Sequence, residues 1–358
     1  MELLPSCRVC AKAEVAEGNN WEIPTAAAGK RKEENRGRNM QIATVVIPNL
    51  NGMKYLKDCL DSLMEQSRQD FSVLLIDNGS VDGSADYVES HYPEVEVVRF
   101  GTNEGFCRAV NEGILRSETP YVILLNNDII CDECFVEKLV EAMEENPRCF
   151  SCASKMLQMY HPELMDNAGD YYSAFGWAFA LGKGKKAEHY NKKREIFSAC
   201  AGAAIYRRSV FEEIGLFDEV HFAYLEDIDV AYRARIAGYR NLYIPQAVVR
   251  HVGSATSGSV YNEFKIRHSS RNNVYLIYKN MPWPQIVLNF PFLAAGFLVK
   301  ILFFVRKGFG REYVNGLKTG MALCKKDKKV KFRSKNLKNY LKIQLELWVN
   351  MVRRLFDF

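Results

Sequence analysis

The sequence predicts an α/β protein whose mostly parallel sheet is flanked by helices and is followed by a helical, basic C-terminal region. Strand-like segments alternate with segments of helical apolar spacing over about 105 residues from Ile42. This alternation is typical of a parallel sheet with helices on both faces. Beyond residue 280, a long apolar segment is followed by a basic one, which distinguishes the C-terminal region from the sheet.

The individual elements follow from the spacing of the apolar residues. Strands are predicted at Ile42–Pro48, Phe71–Asp77, Val95–Phe100 and Tyr121–Asn126. Helices are predicted at Met53–Ser67, Asp82–Tyr92, Glu104–Ser117 and Asp132–Asn146. Residues 150–251 have a mixed pattern, which contains the start of a helix near Glu226 and a strand that ends at His251.

Composition divides the chain into three regions. Residues 1–39 lack periodicity and contain no apolar core of a signal peptide, so we expect a disordered extension. Residues 40–280 are the predicted α/β domain, and residues 281–358 are predicted to associate with a membrane.

The ten cysteines are scattered, and only Cys7 and Cys10 have metal-type spacing. Because no second pair follows, free thiols in a reducing compartment are favoured over a zinc site.

The C-terminal region is strongly basic. From Arg306 onward, fifteen Lys and Arg oppose four Asp and Glu, whereas the formal net charge of the whole chain is +5. A basic region after a slightly acidic body indicates an anionic partner, either a membrane or a nucleic acid. No recognition motif for nucleic acid accompanies this charge, so we expect no nucleic acid as a partner.

Apolar residues in the same region favour the membrane. A stripe on the predicted last helix contains Leu337, Leu341, Leu345, Trp348, Val352 and Leu355. Basic residues flank this stripe, as on helices that bind an anionic membrane surface. A helix packed on the same chain is the alternative.

Upstream, Ile286–Val305 is long enough to span a bilayer, but Asn289, Pro291 and Lys300 interrupt it. The interruptions favour a re-entrant or interfacial helix over a true span or a buried core helix.

Polar residues collect where the predicted strands end. These ends read Pro48-Asn49, Asp77-Asn78-Gly79 and Asn126-Asn127-Asp128. Ligands of parallel sheets lie beyond the carboxyl ends of the strands. Asp128 is well placed to hold Mg²⁺ or Mn²⁺, which take carboxylate oxygens and share their shells with phosphates. A helix cap is the alternative for Asp128. The Asp77 carboxylate could accept a hydrogen bond from a nucleobase.

Two further segments and one histidine supply candidate residues. Asn103 and Gly105 open a helix whose backbone can approach a phosphate. Glu226 and Asp227 stand at a predicted helix start, where acids are also favoured by the helix dipole. A carboxylate that is free there can act as a general base. His251 is a candidate nitrogen ligand, although a lone histidine is more often structural.

These segments resemble family 2 glycosyltransferases of the GT-A fold, close to their bacterial rhamnosyltransferase-like branch. The matching stretches run from about residue 42 to residue 256 and read VVIPNLNGMKYLKDCLDSL, LLIDNGSVDGS, NEGFCRAVNEGI, YVILLNNDI, GAAIYRRSVFEEIGLFDE and YLEDIDVAYRARIAGYRNLYIPQAVVRHVGSAT. Residues 1–39 and the end of the chain lie outside the resemblance.

The resemblance implies a metal site and a donor site. Asp128 would hold the metal in place of the family's Asp-x-Asp element, and His251 would complete the shell around Mn²⁺ or Mg²⁺. The sequence departs from the family here, because amides replace the earlier acids. The donor, a nucleotide-diphosphate sugar, would contact Pro48, Asn49, Asn51, Asp77, Asn103, Gly105, Asn126, Asn127 and Arg271. Among these, Asp77 would read the base and Arg271 would meet the diphosphate. The loop from Gly253 would close over the donor.

The resemblance also implies the reaction. Asp227 of the acidic pair Glu226-Asp227 would be the general base of an inverting transfer to a hydroxyl of a cell-envelope glycan or a lipid-linked acceptor. The enzyme would work at the cytoplasmic face of the membrane, with rhamnose as a candidate sugar. A galactofuranosyl or N-acetylhexosaminyl donor and a non-catalytic nucleotide-sugar-binding protein are the alternatives. A nucleotidyltransferase is more remote, because no glycine-rich phosphate loop follows the first strand.

Overall fold

Parallel strands rich in β-branched and aliphatic residues form the centre of the protein. The computed structural model describes residues 41–253 and 261–356. The first four strands are β1 Ala43–Asn49, β2 Phe71–Asp77, β3 Glu96–Arg99 and β4 Tyr121–Leu125. They pair in parallel in the order β3-β2-β1-β4. The predicted strands are therefore confirmed, with ends that shift by one residue at most.

Helices cover both faces of these strands, as the alternation predicts. They are α1 Met53–Met64, α2 Ser84–His91, α3 Phe106–Arg116 and α4 Phe135–Glu144. Side chains of α1, α2 and α4 share one core with Val45 and Ile47 of β1. Side chains of α3 share another core with Val46, whose side chain points to the opposite face because successive residues of a strand alternate.

The mixed segment supplies the remaining strands. They are β5 Ile129–Cys131, β6 Cys149–Gln158, β7 Met165–Asn167, β8 Asp170–Tyr172, β9 Ala178–Ala180, β10 Arg194–Ile196, β11 Ala203–Arg207 and β12 Arg240–His251. The sheet order is β10-β12-β6-β11-β4-β1-β2-β3, and β8 pairs with β9 in a separate hairpin. The short strand β5 pairs with the end of β12 so that Ile129 lies opposite His251.

The later helices pack against this sheet and against each other. They are α5 Arg208–Ile214, α6 Glu226–Ala237, α7 Glu263–Asn280, α8 Trp283–Arg306, α9 Gly310–Ala322 and α10 Leu337–Phe356. Short 3₁₀ helices lie at Ala187–His189, Glu219–His221, Lys326–Lys328 and Ser334–Asn336. One core joins α6, α7, α8 and α10, so the boundary predicted at residue 281 falls between helices that share a core. The predicted extension at residues 1–39, with Cys7 and Cys10, lies outside the described residues.

The helix α8 turns its polar side chains inward and its apolar side chains outward. Gln285 accepts a hydrogen bond from the Tyr232 hydroxyl, and Asn289 exchanges two hydrogen bonds with Gln344. The outward residue Val287, by contrast, is 71% exposed. Within the described part of the chain, α8 is the one helix long and apolar enough to cross a membrane. Its most apolar stretch of 18 residues has a mean hydropathy of 2.1, and 17% of that stretch is buried in the protein. Asn289, which interrupts the apolar pattern in the sequence, is thus a packing residue.

The last helix, α10, has two apolar faces. One face packs on the protein through Tyr340, Ile343 and Leu347. The other face remains exposed and carries Leu337, Leu341, Leu345, Val349 and Val352. The stripe predicted from the sequence is therefore mostly exposed and not packed on the same chain. Trp348 is the exception, because it donates a hydrogen bond to Asn289. The side chain of Leu355 lies outside the described residues.

The packing of α3 on β1 depends on the absence of a side chain at Gly113. A Cβ atom at this position would lie 2.2 Å from a methyl carbon of Val46. We expect Gly113→Ala to lower the free energy of unfolding by about 1–3 kcal/mol, because overpacking costs more than the gain in helix propensity of about 1 kcal/mol. The control is Gly101→Ala, where no atom lies within 4 Å of the added Cβ. Equal stability of the two variants in urea unfolding would contradict this account.

Candidate active site

The carboxyl ends of β1 and β4 and the end of β12 open into one cleft of about 1070 Å³. The cleft is lined by most of the residues predicted from the sequence, namely Pro48, Asn49, Asn103, Gly105, Asn126, Asn127, Asp128, Glu226, Asp227 and His251. Asn51, Asp77 and Arg271 are not part of this lining. The fold thus gathers residues that lie as far apart in the chain as Pro48 and His251.

A network of amides connects the ends of the first strands. The Asn49 side-chain oxygen accepts a hydrogen bond from Asn127 at 2.7 Å, and its nitrogen donates to Asp77 at 3.0 Å and to Ser84 at 2.9 Å. A Cβ at Gly52 would lie 2.2 Å from both atoms of the Asn49–Asn127 hydrogen bond. Only glycine at this position leaves room for the bond. Asp77 is buried behind Asn49, which fixes the orientation of its carboxylate.

Two asparagines hold the loops at the cleft rim. Asn51 has a φ of +52°, and its side chain accepts a hydrogen bond from the Val81 amide at 2.9 Å. Asn78 accepts from the Glu104 amide at 2.8 Å and donates to the Asn103 side chain at 3.0 Å. Both side chains therefore shape the loops, and Asn78, which the sequence placed at a polar strand end without a role, also lines the cleft.

The start of α3 is constrained by its neighbours. Gly105 has a φ of +89°, and a Cβ there would lie 2.5 Å from the ring of Phe222. The Gly105 amide donates to the Asn103 side chain, and the Cys107 amide donates to the Phe222 carbonyl at 3.2 Å. Several of the amides at this helix start are thus already used within the protein, so the predicted contact of Asn103 and Gly105 with the donor stays a prediction.

Asp128 and His251 meet because β5 pairs with β12. The Asp128 carboxylate lies 3.4 Å from Nε2 of His251, and the Asp166 carboxylate lies 2.8 Å from Nδ1. Burial alone lowers the pKa of His251, but hydrogen bonds to the two carboxylates outweigh burial and raise it to about 9. Lys183 contacts the other oxygen of Asp166 at 2.7 Å. The imidazole is therefore held in place from both sides.

The chemistry of this pair fits a divalent ion. With a pKa of about 9, the imidazole carries a proton on both nitrogens at neutral pH, and Nε2 faces a carboxylate oxygen of Asp128. A divalent ion would displace the Nε2 proton, while the Asp166 carboxylate keeps the proton on Nδ1. One oxygen and one imidazole nitrogen form a ligand set that Mn²⁺ or Mg²⁺ can use, with nitrogen favouring Mn²⁺. Asp166, which the sequence did not identify, would orient the imidazole.

The acidic pair lies at the start of α6. Burial raises the pKa of Asp227 to about 6, and burial together with the charge of Asp227 raises the pKa of Glu226 to about 8. The Asp227 Oδ1 accepts a hydrogen bond from the Ile228 amide at 2.7 Å. One carboxylate oxygen of Glu226 is buried without a hydrogen-bond partner among the described residues. Near neutral pH the two carboxyls together therefore hold about one proton, as the members of an acid–base pair do.

A second group of candidate ligands surrounds Asp227. Ligand atoms of Asp170, Cys200 and Asp227 all lie within 4.8 Å of one another. Burial, followed by the charge of Asp227, raises the pKa of Asp170 well above its usual range, and burial does the same for Cys200. Protonated groups are poor metal ligands. A cation at this cluster would have to displace the protons of Asp170 and Cys200, just as a cation at Asp128 would have to displace the Nε2 proton of His251.

The third acid of α6 has a structural role. Asp229 is fully buried and accepts hydrogen bonds from Arg233, Lys279 and Asn280 at 2.8–3.0 Å. Burial opposes its charge, but Lys279 and Arg233 outweigh burial and hold the pKa of Asp229 well below its usual range. Asp229 thus ties α6 to α7 and leaves the acid–base role to its neighbours.

The loop before α6 is held in a strained conformation by α7. Positive φ angles occur at Phe222 (+62°), Tyr224 (+72°) and Leu225 (+68°). Arg271 donates hydrogen bonds to two backbone carbonyls of residues 220–221, and Asn272 donates to three carbonyls of residues 221–224. Strain of this kind persists where the surroundings enforce it, and it is common in functional sites. Arg271 therefore supports the loop, and its predicted contact with a diphosphate stays a prediction.

Comparison with known proteins relates these residues to a family. Residues 44–215 match the family described as Glycosyl transferase family 2. The chain is 25% identical over 254 residues to an N-acetylglucosaminyl-diphospho-decaprenol L-rhamnosyltransferase of Mycobacterium tuberculosis, with 64% of this chain and 82% of that protein covered. It is 24% identical over 186 residues to Glycosyltransferase GlyG of Streptococcus pneumoniae, with 51% and 60% covered.

The fold has a counterpart among solved structures. A crystal structure of GalNAc-T7 with UDP, GalNAc and Mn²⁺ matches with a TM-score of 0.54 at 17% identity. The match covers 67% of this chain and 48% of that one, so it spans about half the length of that protein. Structural similarity at 17% sequence identity is evidence for the fold alone. This similarity confirms the predicted GT-A fold.

Proposed function

Residues 44–215 form a glycosyl transferase family 2 domain. From this premise we propose an inverting, metal-dependent transfer of a sugar from a nucleotide-diphosphate donor to a lipid-linked acceptor. The observation that carries the proposal is the position of two pairs in one cleft. Asp128 and His251 form a pair of candidate metal ligands, and Glu226 and Asp227 form an acid–base pair.

The donor would lie across the carboxyl ends of β1 and β4. The side chains of Asn49 and Asn127 are fixed by their mutual hydrogen bond, and Asn126 lines the same end of the cleft. Asp128 and His251 would hold the divalent ion, Mn²⁺ or Mg²⁺, with Asp166 orienting the imidazole. The bound ion would take up the negative charge that grows on the leaving diphosphate.

Asp227 is the better general base of the two acids. With a pKa of about 6 it is mostly ionised at pH 7, whereas Glu226, with a pKa of about 8, mostly keeps its proton. Asp227 would take the proton of the acceptor hydroxyl, whose oxygen bonds to the anomeric carbon. The bond to the nucleotide diphosphate would break on the opposite face, which inverts the configuration. Two neighbouring acids with separated pKa values commonly divide such roles.

Rhamnose is our first candidate for the sugar, and a lipid diphosphate is our first candidate for the carrier of the acceptor. The Mycobacterium tuberculosis relative carries both in its name. Galactofuranosyl and N-acetylhexosaminyl nucleotides are the alternative donors. Thermal unfolding with each nucleotide sugar and Mn²⁺ would distinguish them, because ligand at a hundred times its Kd adds about 2.7 kcal/mol.

A membrane surface would bring the enzyme to such an acceptor. The outward faces of α8 and α10 are apolar, and the exposed Lys325, Lys326 and Lys328 lie between these helices in the chain. An apolar face with nearby cations suits the interface of an anionic membrane, here the cytoplasmic face. Lys329 differs from its neighbours, because its ammonium group donates to the Met281 carbonyl at 2.7 Å and lies over the ring of Trp283.

The metal assignment predicts a loss of ion binding that is independent of catalysis. Asp128→Ala should abolish Mn²⁺ binding in the presence of a nucleoside diphosphate, as measured by electron paramagnetic resonance. Asp166→Asn should weaken the same binding about 10–100-fold, the usual effect of removing a group that orients a histidine ligand. Asp132→Ala, which removes an exposed carboxylate beyond β5, is the control. Unchanged Mn²⁺ affinity in Asp128→Ala would refute the assignment.

The base assignment predicts both a rate and a pH profile. Asp227→Asn should keep donor affinity and lower kcat by roughly 10²-fold or more. In the unaltered enzyme, kcat should fall as the pH drops below about 6, because a base loses activity when it gains a proton. A larger loss of kcat in Glu226→Gln than in Asp227→Asn would transfer the role to Glu226.

The membrane assignment predicts binding that depends on charge. Replacing Lys325, Lys326 and Lys328 by Gln should weaken binding to vesicles with anionic lipid, since each nearby lysine contributes about 1 kcal/mol. Lys329 is left unchanged because of its structural contacts. The control replaces three exposed lysines of the α/β domain, Lys54, Lys57 and Lys192. If both triple variants sediment with vesicles equally well at every salt concentration, the basic cluster does not anchor the protein.

A further inference from the structure

An exposed aromatic side chain stands at the rim of the catalytic cleft. Phe264, in the first turn of α7, lines the cleft and is 45% exposed. Its ring contacts those of Phe222 and Tyr224, with centroids 6.1 Å and 6.2 Å away. Tyr224 belongs to the strained loop that leads directly into Glu226 and Asp227. An apolar surface therefore begins close to the acid–base pair.

A second set of ring contacts connects the residues just before α7 to the outward face of α8. Tyr261 lies three residues before Phe264 and is 43% exposed. Its ring contacts those of Phe303 and Phe304 near the end of α8, with centroids 5.8 Å and 6.1 Å away. Phe303 is itself 40% exposed and belongs to the apolar outward face of that helix. We call Tyr224, Phe264, Tyr261 and Phe303 the aromatic path.

We propose that the aromatic path binds the hydrocarbon chain of the acceptor lipid where the chain leaves the membrane for the cleft. This inference rests on the proposed transfer to a lipid-linked acceptor. Such an acceptor has two incompatible requirements, because its hydroxyl must reach Asp227 while its chain must avoid water. A row of half-exposed rings between the acid–base pair and α8 meets both requirements.

Two features favour a lipid chain as the occupant. The aromatic path is continuous with a helix face whose residues, from Trp283 to Arg306, include no acid and are apolar enough to contact lipid. Lys265, adjacent to Phe264, lines the cleft and supplies a cation where a diphosphate between sugar and chain would pass. A lipid whose hydrocarbon chain ends in a diphosphate would therefore place its apolar chain on the aromatic path and its anion beside Lys265.

The test uses geranylgeranyl diphosphate with a photoreactive diazirine in its chain, added to the full-length protein in phosphatidylcholine vesicles. After irradiation, mass spectrometry locates the labelled peptides. We expect labels at Tyr261, Phe264 or Phe303, and roughly tenfold less labelling in Phe264→Ser and in Phe303→Ser, as expected for the loss of a large apolar contact. The matched control is Leu115→Ser, which removes an exposed apolar side chain from α3.

Labels confined to other residues of α8, together with unchanged labelling of Phe264→Ser, would overturn the aromatic path and leave only contact with the bilayer. Binding of nucleoside diphosphate and Mn²⁺ is measured on the same samples. If it persists while the path is not labelled, the proposed transfer stands and this inference fails. If the nucleotide does not bind, the proposed transfer fails, whatever the labelling. Circular dichroism of each variant excludes loss of folding as the cause of reduced labelling.

Discussion

The antiparallel pairing of Ile129 with His251 is the contact on which the site depends. It joins a three-residue strand after β4 to the end of a strand more than one hundred residues later. Because of this register, Asp128 lies beside Nε2 of His251, while the pairing of β7 with β6 brings Asp166 to Nδ1. A shift of one residue would turn these side chains to opposite faces of the sheet. The ligand pair is therefore a product of strand register rather than of local sequence.

The acid–base pair depends on a different element, α7. This helix ties down Asp229 through Lys279 and Asn280, and it holds the strained loop before α6 through Arg271 and Asn272. Among the α7 cations, Lys279 pairs with Asp229 and Arg267 pairs with Glu312. In the described part of the chain, no ion pair reaches Glu226 or Asp227. Burial of two neighbouring carboxyls then raises both pKa values. The protonation that suits catalysis follows from where α7 places its cations.

Sequence patterns predicted the elements whose apolar residues recur at a regular spacing. The strands β1 to β4 and their helices follow from periodicity, and the polar strand ends correctly indicated a cleft that contains Asn49 and Asp128. Asp166 and Asp170 could not be predicted, because they lie on strands of three residues that are too short to show a period. The three acids of α6 also look alike in the sequence, since the partners that distinguish Asp229 lie on α7. The structural role of Asp229 could therefore be distinguished from the roles of Glu226 and Asp227 only from tertiary contacts.

The interruption at Asn289 shows how the same residue can be interpreted in opposite ways. In the sequence it weakens an apolar segment and argues against a membrane span. In the structure it pairs with Gln344 of α10 and holds one side of α8 against the protein, so the apolar side faces outward. A helix fixed along one side by polar contacts is suited to lying in an interface rather than crossing a bilayer. Because α8 also contacts Tyr261, beside the start of α7, this orientation would set the cleft and the lipid surface next to each other. The proposed lipid contact and the proposed chemistry therefore depend on the same packing.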